Sequence, residues 1–387
     1  MTLVEECLQS LKERRQNILN GNVNCIPSPY KRFINDFVGI EKETYYVITS
    51  FTKGGKTQFT SYTFLYYTLL FIYYTKSNIN LTIHYFALEE SPKRIMERFM
   101  SWLLNDWTKE KIHISPRDLR STTEACPEEA INMLETDELK DIEEFFESHI
   151  KFSLTDNPTG IDKEIKEYAR SHGKETKSTF ETTDEFGNTI TKEKFQSYTP
   201  DDPNEYHMIF VDTINNVELE KGCYSKKDAM DRVSKSLRIA RNNYKYIPVV
   251  IQQQAFESEG NEAFKLGKIR PSVAGLGDSK YVSRDANVVL GLFSPFRFGL
   301  KEYFGYDISK FKDNIRFLEV IVNRDGEMGG LIALYFDGAT CQFKELPPAS
   351  DKEALQKVYD YLEHKRAAKL KGRVNMLIGR IVNKFKK

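Results

Sequence analysis

The residues best equipped for chemistry lie in one run, Ser50-Phe51-Thr52-Lys53-Gly54-Gly55-Lys56-Thr57-Gln58. An apolar stretch, Tyr45–Thr49, leads into it and a helical stretch leads away. The spacing is that of a phosphate-binding loop, G-x-x-x-x-G-K-[ST], with Ser50 in place of the first glycine. Backbone N–H groups of Gly54, Gly55 and Lys56 at a helix N-terminus would point at phosphate oxygens. The Lys56 ammonium would reach the β- and γ-phosphates, and the Thr57 hydroxyl would ligate Mg²⁺. With Ser50, Lys53 and Gln58 these residues make the candidate ATP-contact set. A G-G-K-T turn can also be an ordinary strand-to-helix connection; the strand–loop–helix context favours the phosphate reading.

Such a loop needs a second carboxylate for the metal. Met208-Ile209-Phe210-Val211-Asp212 supplies one, four apolar residues reading as a buried strand with Asp212 at its C-terminal end. Thr213 follows, so the base that polarises the attacking water must come from elsewhere. The run Thr82–Leu88 ends in Glu89-Glu90 at the same predicted sheet edge, and Glu89 is the candidate. An acidic pair after a strand also suits a plain helix N-terminus. Pro248-Val249-Val250-Ile251 leads into Gln252-Gln253-Gln254, where a polar side chain could sense the γ-phosphate and signal to the next loop. That loop, 255–274, carries Lys265, Lys268 and Arg270 against Glu257, Glu259 and Glu262, and it equally suits an ordinary surface loop.

These residues need strands that end together. Apolar runs at Tyr45–Thr49, Thr82–Leu88, Ile150–Leu154, Met208–Val211, Ile247–Ile251, Val288–Phe293 and Phe317–Val322 predict them, with helical stretches between several. In 228–243, for example, Met230, Val233, Leu237 and Ala240 line one face. The rhythm predicts an α/β fold with a largely parallel, buried sheet flanked by helices. Leu331–Phe336 and Thr340–Glu345 flank Asp337-Gly338, a hairpin signal. The chain has 387 residues, 40% hydrophobic and 29% charged, ample for a core. Its 56 basic and 56 acidic residues exclude a uniformly basic nucleic-acid coat but allow a locally basic channel. Five scattered cysteines without a C-x-x-C pair argue against a disulfide framework or structural zinc, and for a reducing compartment.

The start, MTLVEECLQSLKERRQ, is charged where a signal peptide needs an apolar core. The 19 uncharged residues between Lys56 and Lys76 approach the length of a bilayer span. Their tyrosines and threonines, and their origin inside the phosphate motif, predict a buried helix in a soluble protein instead. Residues 1–20 predict an amphipathic helix with Val4, Leu8, Leu11 and Ile18 on one face, packed on its own domain or docked on a neighbouring subunit. Gly21–Pro29 reads as a linker. The polar stretch 174–204, with Phe186-Gly187-Asn188 as its turn, reads as an inserted, mobile hairpin. Residues 351–387 carry 11 Lys/Arg against four acids, net +7, either a basic helical tail for nucleic acid or an acidic partner, or a solvated face.

In order and spacing these pieces resemble the RecA-like ATPase domain of DnaB-type replicative helicases, the hexameric superfamily-four enzymes. The resemblance spans roughly Pro29 to Leu346. Phe86-Ala87-Leu88-Glu89-Glu90-Ser91 is similar to the family's strand with the catalytic glutamate, and 209–217 to its Walker B strand. Pro248 to Gln254 is similar to its sensor strand, implying Gln254 as the sensor. The segment 275–287 resembles "D-L-R-E-S-G-x-I-E-Q-D-A-D", and Asn323-Arg324-Asp325-Gly326 with Gly329 resembles "K-Q-R-N-G-x-x-G". The last match implies that Arg324 is a finger reaching the ATP of the neighbouring subunit. The family often lacks the first P-loop glycine, so Ser50 fits.

Two positions depart. Gly277 stands where the family has a DNA-binding arginine, with Asp278 where it has Glu, and Val322 stands where a second trans-acting lysine is expected. DNA grip would then fall to residues such as Lys265, Lys268, Arg270 and Lys280. The resemblance implies a linker or docking arm at 1–28, a motor at 29–346 and a basic helical tail at 347–387, with the family's N-terminal domain missing. It implies a ring-forming, ATP- and Mg²⁺-dependent helicase on single-stranded DNA in replication, a homo-hexamer in the cytoplasm, or the host's cytoplasm if viral, with a primase or loader as partner. A RecA/RadA- or KaiC-like ATPase, or a non-translocating platform for a primase or loader, are the alternatives.

Overall fold

The structure, a computed structural model, describes residues 2–255, 269–277 and 279–367. Leaving aside two-residue bridges, its strands in chain order are β1 (Tyr46–Ser50), β2 (Asn80–Ala87), β3 (Ile150–Ser153), β4 (Gly173–Thr183), β5 (Thr189–Pro200), β6 (Glu205–Asp212), β7 (Ile247–Gln253), β8 (Val288–Phe293), β9 (Ile315–Asn323), β10 (Leu331–Asp337) and β11 (Gln342–Glu345). All but β4 and β5 form one nine-stranded sheet in the order β11-β10-β9-β8-β1-β7-β6-β2-β3. β8, β1, β7, β6, β2 and β3 run parallel. β9, β10 and β11 extend the sheet antiparallel.

The parallel strands are apolar throughout because both faces are covered. Tyr46 and Ile48 enter one hydrophobic cluster while Tyr45 and Val47 enter another; Met208 and Phe210 part from Ile209 and Val211 in the same way. Each such aliphatic or aromatic side chain contributes about 1.5–3 kcal/mol of burial. On one face lies the run after the phosphate loop, helical over Lys56–Thr60, π-helical over Ser61–Tyr66 and helical again over Tyr67–Thr75. Its tyrosines and threonines are used inside the core. Tyr66 stacks on Trp102, Thr63 bonds the Tyr30 hydroxyl at 2.8 Å, and the Thr60 hydroxyl donates to the Lys56 carbonyl at 2.8 Å. No helix among the described residues is long and apolar enough to cross a membrane. On the other face, Lys226–Tyr244 buries Met230, Val233, Leu237 and Ala240.

Three features lie outside this frame. The helix α1 (Leu3–Leu19), opened by a Thr2/Glu5 capping box, has no buried residue, and Val4, Leu8, Leu11 and Ile18 stay exposed. β4 and β5 form a separate antiparallel hairpin. Asp184 Oδ1 accepts from the Phe186 and Asn188 N–H groups, and Gly187 takes φ +86°, which closes the turn. The C-terminal helix, 352–367, buries Leu355 and Leu362 beside β9 and β10. There Lys365 reaches Glu110 at 3.1 Å and Asp337 at 3.2 Å, while Arg366 donates to the Lys310 and Phe311 carbonyls. Two of the tail's cations are thus spent on holding it to its own domain. The β10–β11 hairpin differs in detail from its sequence signal. Asp337 pairs with Gln342, so four residues make the loop, and Cys341, not Gly338, takes the positive φ of +57°.

Candidate nucleotide site

Register brings the candidate residues to one edge. Ser50 pairs with Gln253 and with Leu292, and Ala87 pairs with Asp212, so β1, β2, β6, β7 and β8 end nearly level. The phosphate loop leaves β1 there. Ser50 is buried, and its hydroxyl donates to the Phe51 carbonyl at 2.9 Å. The Gly54 N–H bonds the same carbonyl at 3.0 Å, which curls the loop. A Cβ on Gly54 would lie 2.6 Å from Ser50 Oγ, so only glycine fits. Gly55 turns the chain into the helix at φ +94°, a left-handed value that glycine takes without strain. Lys56 is buried at the start of that helix. Lys53, at φ +59°, stands on the loop's exposed rim, and Gln58 donates to the Gly338 carbonyl at 2.8 Å.

Thr57 and Asp212, far apart in sequence, meet here: Thr57 Oγ1 donates to Asp212 Oδ1 at 3.3 Å. The Tyr85 hydroxyl donates to Oδ2 at 2.8 Å. Burial pushes the Asp212 carboxyl up to about 6, against the Tyr85 hydrogen bond, with Glu89 adding to the rise and Arg98 and Lys56 opposing it. A divalent cation nearby would favour the charged form. A hydroxyl beside a buried carboxylate is a hard-oxygen pair suited to Mg²⁺, which is bound by few protein ligands plus phosphate and water.

Glu89 and Glu90 part company. Glu90 is tied to Arg98, while the exposed Glu89 carboxylate has no hydrogen-bond or ion-pair partner among the described residues. The Leu88 N–H donates to the Asp212 carbonyl at 2.9 Å, so the Glu89 turn is fixed against the Asp212 strand. The glutamines part as well. Gln254 is buried, donating to Thr49 Oγ1 at 2.8 Å and to the Ser272 carbonyl at 3.2 Å. It is Gln253 that reaches into the phosphate loop, donating to Thr52 Oγ1.

The other candidates lie elsewhere. Arg324 follows β9 at the opposite edge of the sheet, exposed, its guanidinium donating to the Arg284 carbonyl. Asn323 pairs with Val288, and Val288 with Tyr46, the far end of β1. At about 3.3 Å per residue this puts Arg324 roughly 13 Å or more from its own phosphate loop. Arg270 pairs with Glu319 at 3.4 Å, and Lys280 is exposed. Lys265, Lys268 and Asp278 lie outside the described residues. Gly277 has a packing reason: a Cβ there would sit 2.3 Å from the Ala255 Cβ, so no arginine could replace it in this arrangement. Sequence reasoning missed Tyr85, Arg98, Gln253 and Arg316. The first three carry a weak signal, a polar residue near a strand end or one helical register after Glu90.

The fold and site define an α/β P-loop ATPase domain of the RecA-like class. No protein-family model matches the chain. No curated protein matches it either. Solved structures do. One is an isolated ATPase domain from a DnaB-like helicase, 14% identical, covering 90% of this chain and 100% of that one at a TM-score of 0.62. Another is a DnaB-like replicative helicase studied for its interactions with primase, 15% identical, covering 90% of this chain and 67% of that one at a TM-score of 0.59. The fold is therefore that of DnaB-type replicative helicase ATPase domains.

Proposed function

We propose that this chain is the motor of an ATP-dependent, ring-forming DNA helicase that translocates on single-stranded DNA in replication. The observation that carries the reading is the split between the two edges. Phosphate loop, Thr57, Asp212 and Glu89 share one edge, and Arg324 stands at the other, where it serves a neighbour's site and not its own. The backbone of 54–56 and Lys56 bind the phosphates of ATP. Mg²⁺, held by Thr57 with Asp212 behind it, neutralises charge on the β- and γ-phosphate oxygens. Glu89 takes the proton of the attacking water. The Gln253–Gln254 pair joins the site to the loop after β7, Gln253 through Thr52 and Gln254 through Ser272.

Lys265, Lys268, Arg270 and Lys280 are the proposed DNA contacts. Residues 1–28 act as an arm that docks on a neighbour, 29–346 as the motor, and 347–387 as a basic tail; the hairpin at 174–204 is an insertion in the motor. The assembly is a homo-hexamer in the cytoplasm, and a primase or loader is its partner. One observation favours a second reading. Ala255 leaves no room at Gly277 for an arginine that grips DNA, which suits a nucleotide-dependent platform that does not translocate.

ATP hydrolysis with and without single-stranded DNA, across protein concentrations, separates the two. Stimulation by DNA that steepens with concentration supports the motor. Hydrolysis indifferent to both supports the platform.

A further inference from the structure

The bulkiest fully buried side chain belongs to Arg316, at the start of β9 and directly beneath the phosphate loop. Its Nε donates to the Gly54 carbonyl at 2.7 Å. Its Nη1 donates to the Asp313 and Ile315 carbonyls, each at 2.8 Å, and Nη2 pairs with Asp313 Oδ1 at 3.0 Å. The guanidinium lies over the Phe336 ring, 4.2 Å from its centroid. Burying a charge is costly unless its donors are met, and four of the five N–H groups of this guanidinium are. A hydrophobic residue would fill the same space without that cost. The arrangement needs a reason, and the loop supplies one.

We propose that Arg316 is a positioning residue that presets the Gly54–Gly55 peptide for phosphate. The proposal rests on the ATP-site reading. In a trans peptide the carbonyl of one residue and the N–H of the next point in opposite directions. Holding the Gly54 carbonyl down onto Arg316 therefore turns the Gly55 N–H up into the hollow of the loop. Arg316 and Phe336 also form the floor on which Gly55 rests, since a Cβ there would meet the Phe336 ring at 3.4 Å and Arg316 Nε at 3.7 Å. Without this anchor the two adjacent glycines are free to rotate the peptide, and nucleotide binding must then supply the ordering. Burial lowers the guanidinium pKa only to about 10, so it stays charged at neutral pH. Asp313, whose side chain is 60% exposed, orients it from the outer side.

The test is equilibrium titration of the full chain with a fluorescent ATP analogue and Mg²⁺, with thermal melts and amide hydrogen exchange across residues 50–57. Wild type, Lys56→Ala, Arg316→Met, Arg316→Lys and Asp313→Asn are compared. Arg316→Met should bind about tenfold more weakly or worse, as loss of a charge-assisted hydrogen bond predicts. Arg316→Lys should fall between it and wild type. Asp313→Asn should bind about threefold more weakly, with faster exchange confined to the loop. A mere core plug would lower the melting temperature and leave affinity alone. Wild-type affinity and exchange in the folded Arg316 variants overturn the proposal; if those variants do not fold, the same result in Asp313→Asn overturns it. A wild type that binds ATP no better than Lys56→Ala sinks the ATP site itself and takes this proposal with it.

Discussion

The two ends of the parallel sheet are built on opposite terms. At the edge where β1, β2, β6 and β7 end, polar groups are buried and engaged. Asp212 is held by Thr57 and Tyr85, Gln254 by Thr49 and Ser272, and Arg316 by Gly54 and Asp313. At the other edge Arg324 is exposed, α1 presents its apolar stripe to solvent, and the β4–β5 hairpin stands apart with Phe186 at its tip 85% exposed. Buried, paired polar groups fix geometry before a ligand arrives. Exposed apolar and cationic groups have nothing to do in the single chain. The contrast teaches that phosphate binding is completed within one chain, whereas turnover and coupling depend on a neighbour.

The largest effect expected at the finished edge is from Lys56→Ala, which should abolish hydrolysis in a steady-state ATPase assay; retained turnover would remove the phosphate-site assignment. At the unfinished edge, Arg324→Ala should slow hydrolysis by about 10³-fold. Its ATP affinity should stay at the wild-type value, because the arginine lies far from its own loop. A large loss of binding instead would place it in its own site and erase the contrast. Glu89→Gln should cost about 10²-fold or more in hydrolysis while keeping ATP bound. Glu90→Gln should loosen the Arg98 pair and spare the rate by comparison, and the reverse order would pass the base role to Glu90.

The smallest effect concerns the side of the sheet between the edges. His207 is fully buried between Tyr168 and Tyr246, with neither ring nitrogen bonded, and burial holds its pKa well below 6.5. Above pH 6.5 it is neutral whether folded or unfolded. Below that, the unfolded chain takes up a proton that the folded one refuses, so stability is lost as pH falls. His207→Phe should stabilise the fold by about 1 kcal/mol. Its advantage over wild type in thermal melts should widen as the pH drops below 6.5. A gap that ignores pH would show that His207 is not the group responsible.

Much of the finished edge was legible because strand ends announce themselves. A short apolar run broken by a charged or glycine-rich stretch fixes both the strand and the edge its last residue occupies, which is how Ser50, Glu89, Asp212 and Gln254 could be aligned. The hairpin turn at Phe186-Gly187-Asn188 was legible through its glycine, which needs positive φ. Side-chain direction was not. Gln253 and Gln254 are adjacent, and which one meets the phosphate loop depends on register with β1 and on the path of the loop that follows. Arg316 looked like any residue opening a strand, since nothing local says that its guanidinium lies beneath a loop more than 250 residues earlier. The Asp337-Gly338 signal found its hairpin but not its turn, because the four-residue loop moved the left-handed position to Cys341. Gly277 read as a departure, and the approach of Ala255 gives its cause.

The central claim is that each ATP site is completed by Arg324 of the adjacent subunit. Lys56→Ala and Arg324→Ala chains, each inactive alone, should be mixed and assayed for ATP hydrolysis. In a head-to-tail assembly, random equal mixing leaves about one interface in four with an intact loop facing an intact arginine. The account predicts that activity reappears on mixing. A mixture as dead as its parts, or Arg324→Ala chains that hydrolyse ATP at the wild-type rate alone, would contradict it.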